Sequence, residues 1–282
     1  MLLLLCPESP RYLYIQRNDE ANARQVLKKL RGKEDVEDEM EELRREQLAE
    51  SNQKNMTAWR LLHFPGLRWN LLTVVILVSG SQFVGVNMGF VFAERIYKAL
   101  GLSTKAKRLI PLAGNVIVQL MLLTTICTVE TLGRKFLLLT GFLICSVSNL
   151  SLVFCLKFQI DNPSLAFLSI VLIILFFLGY ITGPASISVV IIGELFLQSS
   201  RMSGLMIAGL ATWTTRFISA LLFLLTEPRI GPYSLLLYWP FIILTFIYIL
   251  RMVPETRGKT FQEIQKSVAA HIRKHSRKTV AE

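Results

Sequence analysis

Residue types that support catalysis are few in this sequence of 282 residues, and they lie far apart. The three histidines are His63, His271 and His275, and no Ser-His-Asp set, glycine-rich phosphate loop or carboxylate pair stands out. All four cysteines occur in apolar stretches and lack metal-ligand spacing. They are Cys6, Cys127, Cys145 and Cys155. The sequence therefore predicts no catalytic residues, no metal site, no cofactor and no enzyme.

Three polar side chains within long apolar segments can do a different kind of chemistry. Gln82 and Asn87 carry amides, which both donate and accept hydrogen bonds. A regular helix places positions five residues apart about 140° from each other. Both amides can therefore face one cavity only if the helix unwinds, which Gly85 tolerates; otherwise they join neighbouring helices. Arg216 is a charge within a span, and such a charge indicates a functional site, an acidic partner or a side chain that snorkels.

Long apolar segments must position these side chains. The chain is 52% hydrophobic and 18% charged, with a mean hydropathy of +0.47, whereas a soluble domain carries about 25% charged residues. A spanning helix needs roughly 20 apolar residues. Six segments meet this requirement, namely 70–92, 108–129, 136–157, 165–192, 202–225 and 233–253. They predict an all-α, multi-pass integral membrane protein with a six-helix bundle, whose fourth helix is interrupted at Gly183-Pro184.

The distribution of basic residues predicts the orientation of the bundle. Six spans place both termini on one side, which carries 23 of the 31 lysines and arginines. The positive-inside rule makes this side cytosolic. The net charge of +11 comes from the tail and the first outside loop and does not indicate nucleic-acid binding. The basic run in 273–278 either contacts anionic membrane lipid or is solvated.

The chain divides into four predicted regions. Residues 1–6 are expected to end a truncated transmembrane helix, 7–69 to form a cytosolic helical linker, 70–253 the bundle, and 254–282 a cytosolic tail. Within the linker, helices are predicted over 13–31 and 35–49, with Gly32 as a stop and Glu41 and Arg45 paired at i,i+4. Such short charged helices are expected to pack on the cytosolic face of the bundle.

Four motifs occur in an order typical of one family. They are Pro7-Glu8-Ser9-Pro10-Arg11 with Leu30-Arg31-Gly32, Val129-Glu130-Thr131-Leu132-Gly133-Arg134-Lys135, Gly193-Glu194-Leu195-Phe196 with Arg201, and Pro254-Glu255-Thr256-Arg257-Gly258-Lys259-Thr260-Phe261. Together they resemble the second half of the sugar porter family within the major facilitator superfamily. The residues at 196–201 and 231–234 are similar to those of the fructose-transporting branch of the facilitative hexose transporters.

The resemblance implies that the six spans are the last six helices of a twelve-helix transporter, whose N-terminal six-helix half would be a partner. Sugar porters rock two bundles around a central site. The resemblance further implies that six charged side chains form a cytosolic salt-bridge gate; the alternative is that they anchor the helix ends near lipid headgroups. They are Glu130, Arg134, Glu194, Arg201, Glu255 and Arg257.

The resemblance also implies a set of sugar-binding residues, although the sequence departs from the family pattern around them. The implied ligands are Gln82, Asn87, Tyr180, Thr212 and Trp213. Family residues are replaced by Ser81, Val118, Ser186, Ser188 and Arg216. Arg216 stands where the family has asparagine, and it is expected either to serve the site or to disturb the cavity.

Three functions follow from the sequence. The first is facilitative transport of a hexose (fructose or glucose) by alternating access in the plasma membrane, with this chain supplying the C-terminal bundle. The second is a truncated, non-transporting membrane protein that folds or associates with a partner bundle. The third is a proton-coupled sugar symporter.

Overall fold

The computed structural model describes residues 7–51, 57–101, 103–158, 163–259 and 263–264. Within these ranges the chain forms helices and turns and contains no strand, which confirms the predicted all-α fold. The α-helices in chain order are α1 (Glu20–Arg31), α2 (Glu37–Ser51), α3 (Ala58–His63), α4 (Arg68–Gln82), α5 (Val86–Ala99), α6 (Thr104–Leu132), α7 (Arg134–Phe158), α8 (Pro163–Tyr180), α9 (Ser186–Leu195), α10 (Gln198–Ile230) and α11 (Trp239–Met252). The predicted helix end at 1–6 and most of the predicted tail lie outside the described residues.

Five helical stretches of the described chain are long and apolar enough to cross a membrane. They are Pro65–Glu94, Thr104–Leu132, Arg134–Phe158, Ser164–Leu195 and Ser200–Met252. The last contains 53 residues, more than twice the roughly 20 that one crossing needs. It comprises α10 and α11, joined by the 3₁₀ turn Gly231–Leu237. The predicted fifth and sixth spans therefore occupy one helical stretch rather than two separate ones.

The first span is broken in its middle, which is the unwinding predicted to be necessary for Gln82 and Asn87 to face one cavity. Helix α4 ends at Gln82 and α5 begins at Val86. Between them Gly85 has a φ of +94°, a value that residues with a Cβ atom rarely adopt. This break frees backbone groups near Gln82, so it also shapes the polar surroundings of that side chain.

The fourth predicted span is interrupted where Pro184 lies. The chain forms a π-helical turn over Ile181–Ala185 between α8 and α9, which accommodates the backbone donor that proline lacks. The Ser186 hydroxyl donates to the Ile181 carbonyl oxygen at 2.6 Å. Gly141 of α7 faces this segment so closely that an added Cβ would lie 2.7 Å from the Gly179 carbonyl oxygen. Helices α7 and α8 therefore pack backbone to backbone.

The two charged helices that precede the bundle form a small core of their own. Ala23, Leu27, Met40 and Leu43 are buried between them. The prediction of one helix over 13–31 is wrong, because the chain first forms a π-helical turn at Tyr12–Gln16 and then turns at Asn18, which has a φ of +55°.

Helix α1 begins after Asp19 and ends at Gly32, the predicted stop. The Asp19 carboxylate accepts a hydrogen bond from the Asn22 amide nitrogen at 3.1 Å, as an N-cap does. The predicted pair of Glu41 and Arg45 forms at 2.6 Å.

Helix α2 lies against one end of the bundle, which we call the charged end. This end carries the α6–α7 junction, the end of α9 and Pro254–Lys259. A cavity of about 290 Å³ separates α2 from the bundle there. Of the two charged helices, α2 lines this cavity together with residues of the bundle; packing of both helices on a cytosolic face stays a prediction.

Candidate functional site

Arg134 is the centre of a group of charges at the charged end. It is the first residue of α7, and its side chain is only 10% exposed. The guanidinium holds Glu130 through two hydrogen bonds, Nη2 to Oε1 at 2.9 Å and Nη1 to Oε2 at 3.3 Å. Its Nε donates to Glu194 Oε1 at 2.9 Å. One arginine thus joins the end of α6, the start of α7 and the end of α9 with the fork geometry that fixes such pairs.

Glu255 binds the same junction through the backbone. Its carboxylate accepts hydrogen bonds from the Arg134 and Lys135 amide nitrogens at 3.0 and 3.1 Å, so it satisfies donors that a helix start leaves unpaired. A Cβ added at Gly133, which has a φ of +87°, would lie 2.8 Å from Glu255 Oε2. Glycine at this position therefore permits the approach of the carboxylate.

The two remaining arginines of the predicted gate bind backbone carbonyl groups. Arg257 donates through Nη1 to the Thr131 carbonyl oxygen, and Arg201 donates through Nη2 to the Phe196 carbonyl oxygen at 3.4 Å. Arg201 also interacts electrostatically with Glu46 of α2. The structure thus brings all six predicted charged residues to the charged end. Glu130, Arg134 and Glu194 form ion pairs there. The other three, Arg201, Glu255 and Arg257, bind mainly backbone groups. We call the set Glu130, Arg134, Glu194 and Glu255 the Arg134 network.

Glu46 extends the charges of this end to α2. It lines the cavity between α2 and the bundle, and its carboxylate lies 3.3 Å from Arg11 Nε. Burial raises the pKa of Glu46, an effect that Arg11 and Arg201 partly oppose. No sequence signal pointed to Glu46, because its environment depends on a contact between α2 and residues far along the chain.

A second polar group lies within the bundle and is centred on Arg216 of α10. Its Nε donates to Gln82 Oε1 at 2.9 Å, and its guanidinium lies over the Trp213 ring, 5.1 Å from the centroid. The Tyr180 side chain interacts with both Gln82 and Arg216. We call Gln82, Tyr180, Trp213 and Arg216 the Arg216 cluster. Three of the five expected sugar ligands are therefore gathered around a residue whose role the sequence left open.

The other two expected ligands lie apart from this cluster. The Thr212 hydroxyl donates to the Ala208 carbonyl oxygen of its own helix at 2.7 Å. Asn87 is exposed at the start of α5, and none of the hydrogen bonds among the described residues connects it to the cluster. Of the three outcomes considered for Arg216 as a span charge, the acidic partner is not found, because the described residues contain no ion pair with Arg216.

Both polar ends of Gln82 are engaged by the protein. Its Nε2 donates to the Ser81 hydroxyl at 3.2 Å while its Oε1 accepts from Arg216. The Gln82 carbonyl oxygen accepts from the Ser219 hydroxyl and from the Gly85 amide nitrogen, both at 3.4 Å. No sequence signal identified Ser219, because its contact with Gln82 joins residues 137 positions apart.

A cavity of about 500 Å³ adjoins Tyr180 between α5, α6 and α8. Asn115, Val118 and Gln119 of α6 line it, as do Glu94 and Lys107. Val118 stands where the family pattern has asparagine, and Asn115 lies one turn earlier on the same wall. An amide therefore lines this cavity at Asn115. Among the described residues no group of histidine, cysteine or acidic side chains is arranged to hold a metal ion.

Comparison with known proteins places these features in a family. The family described as "Sugar (and other) transporter" matches residues 1–267. The chain is 39% identical to the mouse protein named solute carrier family 2, facilitated glucose transporter member 5, over 94% of this chain and 53% of that protein. It is 39% identical to human member 7 of the same family, over 93% of this chain and 51% of that protein.

A solved structure shows the same architecture. The proton:xylose symporter XylE of the major facilitator superfamily, bound to 6-bromo-6-deoxy-D-glucose, superposes with a TM-score of 0.77 at 26% identity, over 94% of this chain and 55% of that one. The chain thus spans about half the length of the curated relatives that it matches. With a family match over residues 1–267 and the fold of half a major facilitator, the chain belongs to the sugar transporter family, whose members are transporters rather than enzymes.

Proposed function

We propose that this chain supplies the C-terminal bundle of a facilitative hexose transporter that works by alternating access, with fructose or glucose as substrate. The Arg134 network is the observation that carries the proposal. It ties three helix ends and the segment after α11 together at one end of the bundle. A transporter that alternates between two states needs a set of contacts that exists in one state and breaks in the other.

The chemistry of the network suits such a gate. Arg134 is nearly buried, whereas its partner Glu130 is 70% exposed, so one side of the pair is already open to water. One oxygen of Glu194 is buried and accepts no hydrogen bond from the described residues. A buried carboxylate oxygen without a donor is costly. A donor from a second bundle would satisfy it when the charged end closes.

The exposed face of α10 supports a second bundle as partner. Large apolar side chains recur along this face at helical spacing, and each is more than 60% exposed. They are Met202, Met206, Leu210, Trp213 and Phe217. Trp213 belongs both to this face and to the Arg216 cluster. The N-terminal half of the transporter would therefore meet α10 at the site itself, where a sugar binds between the two halves.

The sugar would contact polar groups on both sides of the break in the first span. We place Gln82, Tyr180 and Trp213 in the site on their proximity, and Asn87 and Thr212 on the family pattern. Amide and hydroxyl groups can donate to and accept from sugar hydroxyls, and the Trp213 ring offers a flat face for stacking. The charged end and both termini would be cytosolic, as the positive-inside rule predicts, and the expected location is the plasma membrane.

Reconstitution tests this proposal. The purified chain is placed in liposomes, alone and with a separately expressed N-terminal half, and uptake of labelled fructose and glucose is measured. We expect uptake only with both halves, abolished in Arg134→Met and retained in the matched variant Arg44→Met, whose arginine pairs with Glu20 on the exposed linker. Absence of uptake with both halves present would refute transport.

One observation favours a second candidate, a non-transporting membrane protein. The sequence departs from the family pattern at Ser81, Val118 and Arg216. The same reconstitution distinguishes this function, since a folded chain that binds a partner bundle without transport would support it. An imposed proton gradient in that assay tests for proton coupling, the property stated in the name of the xylose symporter.

A further inference from the structure

Arg216 is a positive charge in an apolar helix, and the described part of the chain gives it no negative partner. The described residues include no ion pair with Arg216, and its guanidinium is held by an amide oxygen and an aromatic ring. Neither group carries a net negative charge. A cation in such a place is costly, so a ligand that brings a carboxylate would gain a strong, weakly solvated partner.

The hydrogen bond to Gln82 leaves one edge of the Arg216 guanidinium available to bind a carboxylate. The Nε donor is used by Gln82 Oε1, which leaves the two terminal nitrogens as the edge that binds a carboxylate through two parallel hydrogen bonds. The Tyr180 side chain, which interacts with Arg216, brings a hydroxyl donor to the same region. Trp213, 69% exposed, offers its ring face beside the guanidinium.

The same cluster offers a carboxylate more than it offers a neutral hydroxyl. Gln82 is its only amide, and both ends of that amide are engaged, by Arg216 and by Ser81. A sugar hydroxyl can accept from the Arg216 nitrogens that Gln82 does not take, but a carboxylate accepts from two of them at once and carries the opposite charge.

We propose that Arg216 makes this site select an anionic sugar with one carboxylate, of the hexuronate class, over a neutral hexose. The inference rests on the proposed function, since it places the sugar at the Arg216 cluster, and it changes the substrate class expected for that site. Arg216 would act as a specificity-determining residue that contacts the carboxylate, with Gln82 holding the guanidinium in place.

Ligand binding to the purified full chain in lipid nanodiscs tests the proposal. The probes are D-glucuronate, its neutral methyl ester and D-glucose, followed by competition against labelled glucuronate and by tryptophan fluorescence. We expect glucuronate to bind about tenfold or more tightly than the ester, as loss of a charge-assisted hydrogen-bond pair predicts. Arg216→Asn should remove this preference, and Arg216→Lys should keep part of it.

The matched control is Arg229→Asn, because Arg229 is exposed near the end of the same helix and its loss changes the net charge equally. It should leave the preference unchanged. Equal binding of glucuronate, ester and glucose by the unaltered chain would overturn the inference and leave hexose binding intact. If folded chains, verified by circular dichroism, bind none of the three probes with or without Arg216, the inference fails, whereas the proposed function is decided separately by hexose uptake with both halves present. The ester comparison needs no variant, so misfolding of Arg216→Asn would not protect the inference.

Discussion

Arg134 and Arg216 are both arginines within apolar helices, but the protein surrounds them differently. Arg134 has two carboxylates at 2.9 Å and a third that binds the backbone beside it. Arg216 has an amide oxygen at 2.9 Å and an indole ring. The first arrangement is complete in its ion pairs and fixes three helix ends. The second has positive charge left over, and that surplus is what a ligand can use.

Under the proposed function, the contrast gives a structural task to Arg134 and a binding task to Arg216. A compensated charge resists change and therefore suits a gate whose opening must have an energetic cost. An uncompensated charge tolerates exchange of partners and therefore suits a site. The comparison predicts that the two arginines respond oppositely to the same substitution.

The largest effect is expected from Arg134→Met, which removes the arginine whose charge is compensated by carboxylates. Removal of the guanidinium leaves Glu194, with a side chain 24% exposed, without its cation. The free energy of unfolding should fall by about 3 kcal/mol, as when one partner of a buried pair is removed. Thermal unfolding in detergent measures this. Arg44→Met is the control, since it removes an exposed ion pair and should have a much smaller effect. Equal losses in the two variants would contradict the assignment.

Gly133→Ala separates the backbone part of the Arg134 network from its side-chain part. The added Cβ meets Glu255 Oε2 at 2.8 Å, and φ is +87°. We expect destabilisation by about 2 kcal/mol from strain at a position that favours glycine, with faster hydrogen exchange at the Arg134 and Lys135 amides. Gly209→Ala, in α10 with open space around it, should be neutral or slightly stabilising. A loss as large at Gly209 would show that the effect is not specific to the network.

Arg216→Met tests the other arginine of the comparison, whose charge has no acidic partner among the described residues. The variant loses one hydrogen bond to Gln82 but also removes an uncompensated charge from the membrane. Because these effects oppose each other, stability should stay within about 1 kcal/mol of the unaltered chain, or rise. The measurement is the same thermal unfolding as for Arg134→Met. A loss as large as that of Arg134→Met would mean that Arg216 is a structural charge after all.

The smallest expected effect is the change in stability with pH that the Glu46 carboxylate produces. Burial raises the pKa of Glu46, so the folded state binds its proton more readily than the unfolded chain does. Stability of the α2 contact should therefore increase as pH falls through the folded-state pKa, and level off below the unfolded value. Hydrogen exchange of α2 amides between about pH 7.5 and 5 follows this, and Glu46→Gln should remove the trend.

Glu34 is the control, because its carboxylate should change stability with pH in the opposite direction. A hydrogen bond from Lys28 lowers the pKa of Glu34, so its contribution is present above its unfolded pKa and is lost as pH falls through the lower, folded-state value. Glu34→Gln should therefore leave the gain at lower pH intact. If Glu34→Gln rather than Glu46→Gln removed that gain, the contact between α2 and the bundle would be wrongly placed.

Local features of the fold were predictable from the sequence because they depend on neighbours in the chain. Apolar length marked the spans, Gly85 marked the break, and Pro184 marked the π-helical turn. Gly32 ended α1 as expected. By contrast, the turn at Asn18 was missed, since the apolar spacing of 13–31 continues through it.

The partners in the candidate site were less predictable because they are far apart in sequence. Arg216 and Gln82 are separated by 134 residues, and Glu255 and Arg134 by 121. The motifs indicated that the six charges belong to one end, but not that Glu255 caps α7. The charge of Arg216 signalled a functional position, yet only the packing of α10 beside the broken first span showed that Gln82, rather than an acid, holds it.

The most direct test of the central claim is the initial rate of labelled sugar exchange across liposomes that contain this chain together with an N-terminal half. If the chain is half of an alternating-access transporter, both halves together should exchange hexose or hexuronate, either half alone should not, and Arg134→Met should stop exchange. Exchange by this chain alone, or its absence when both folded halves are present, would contradict the account.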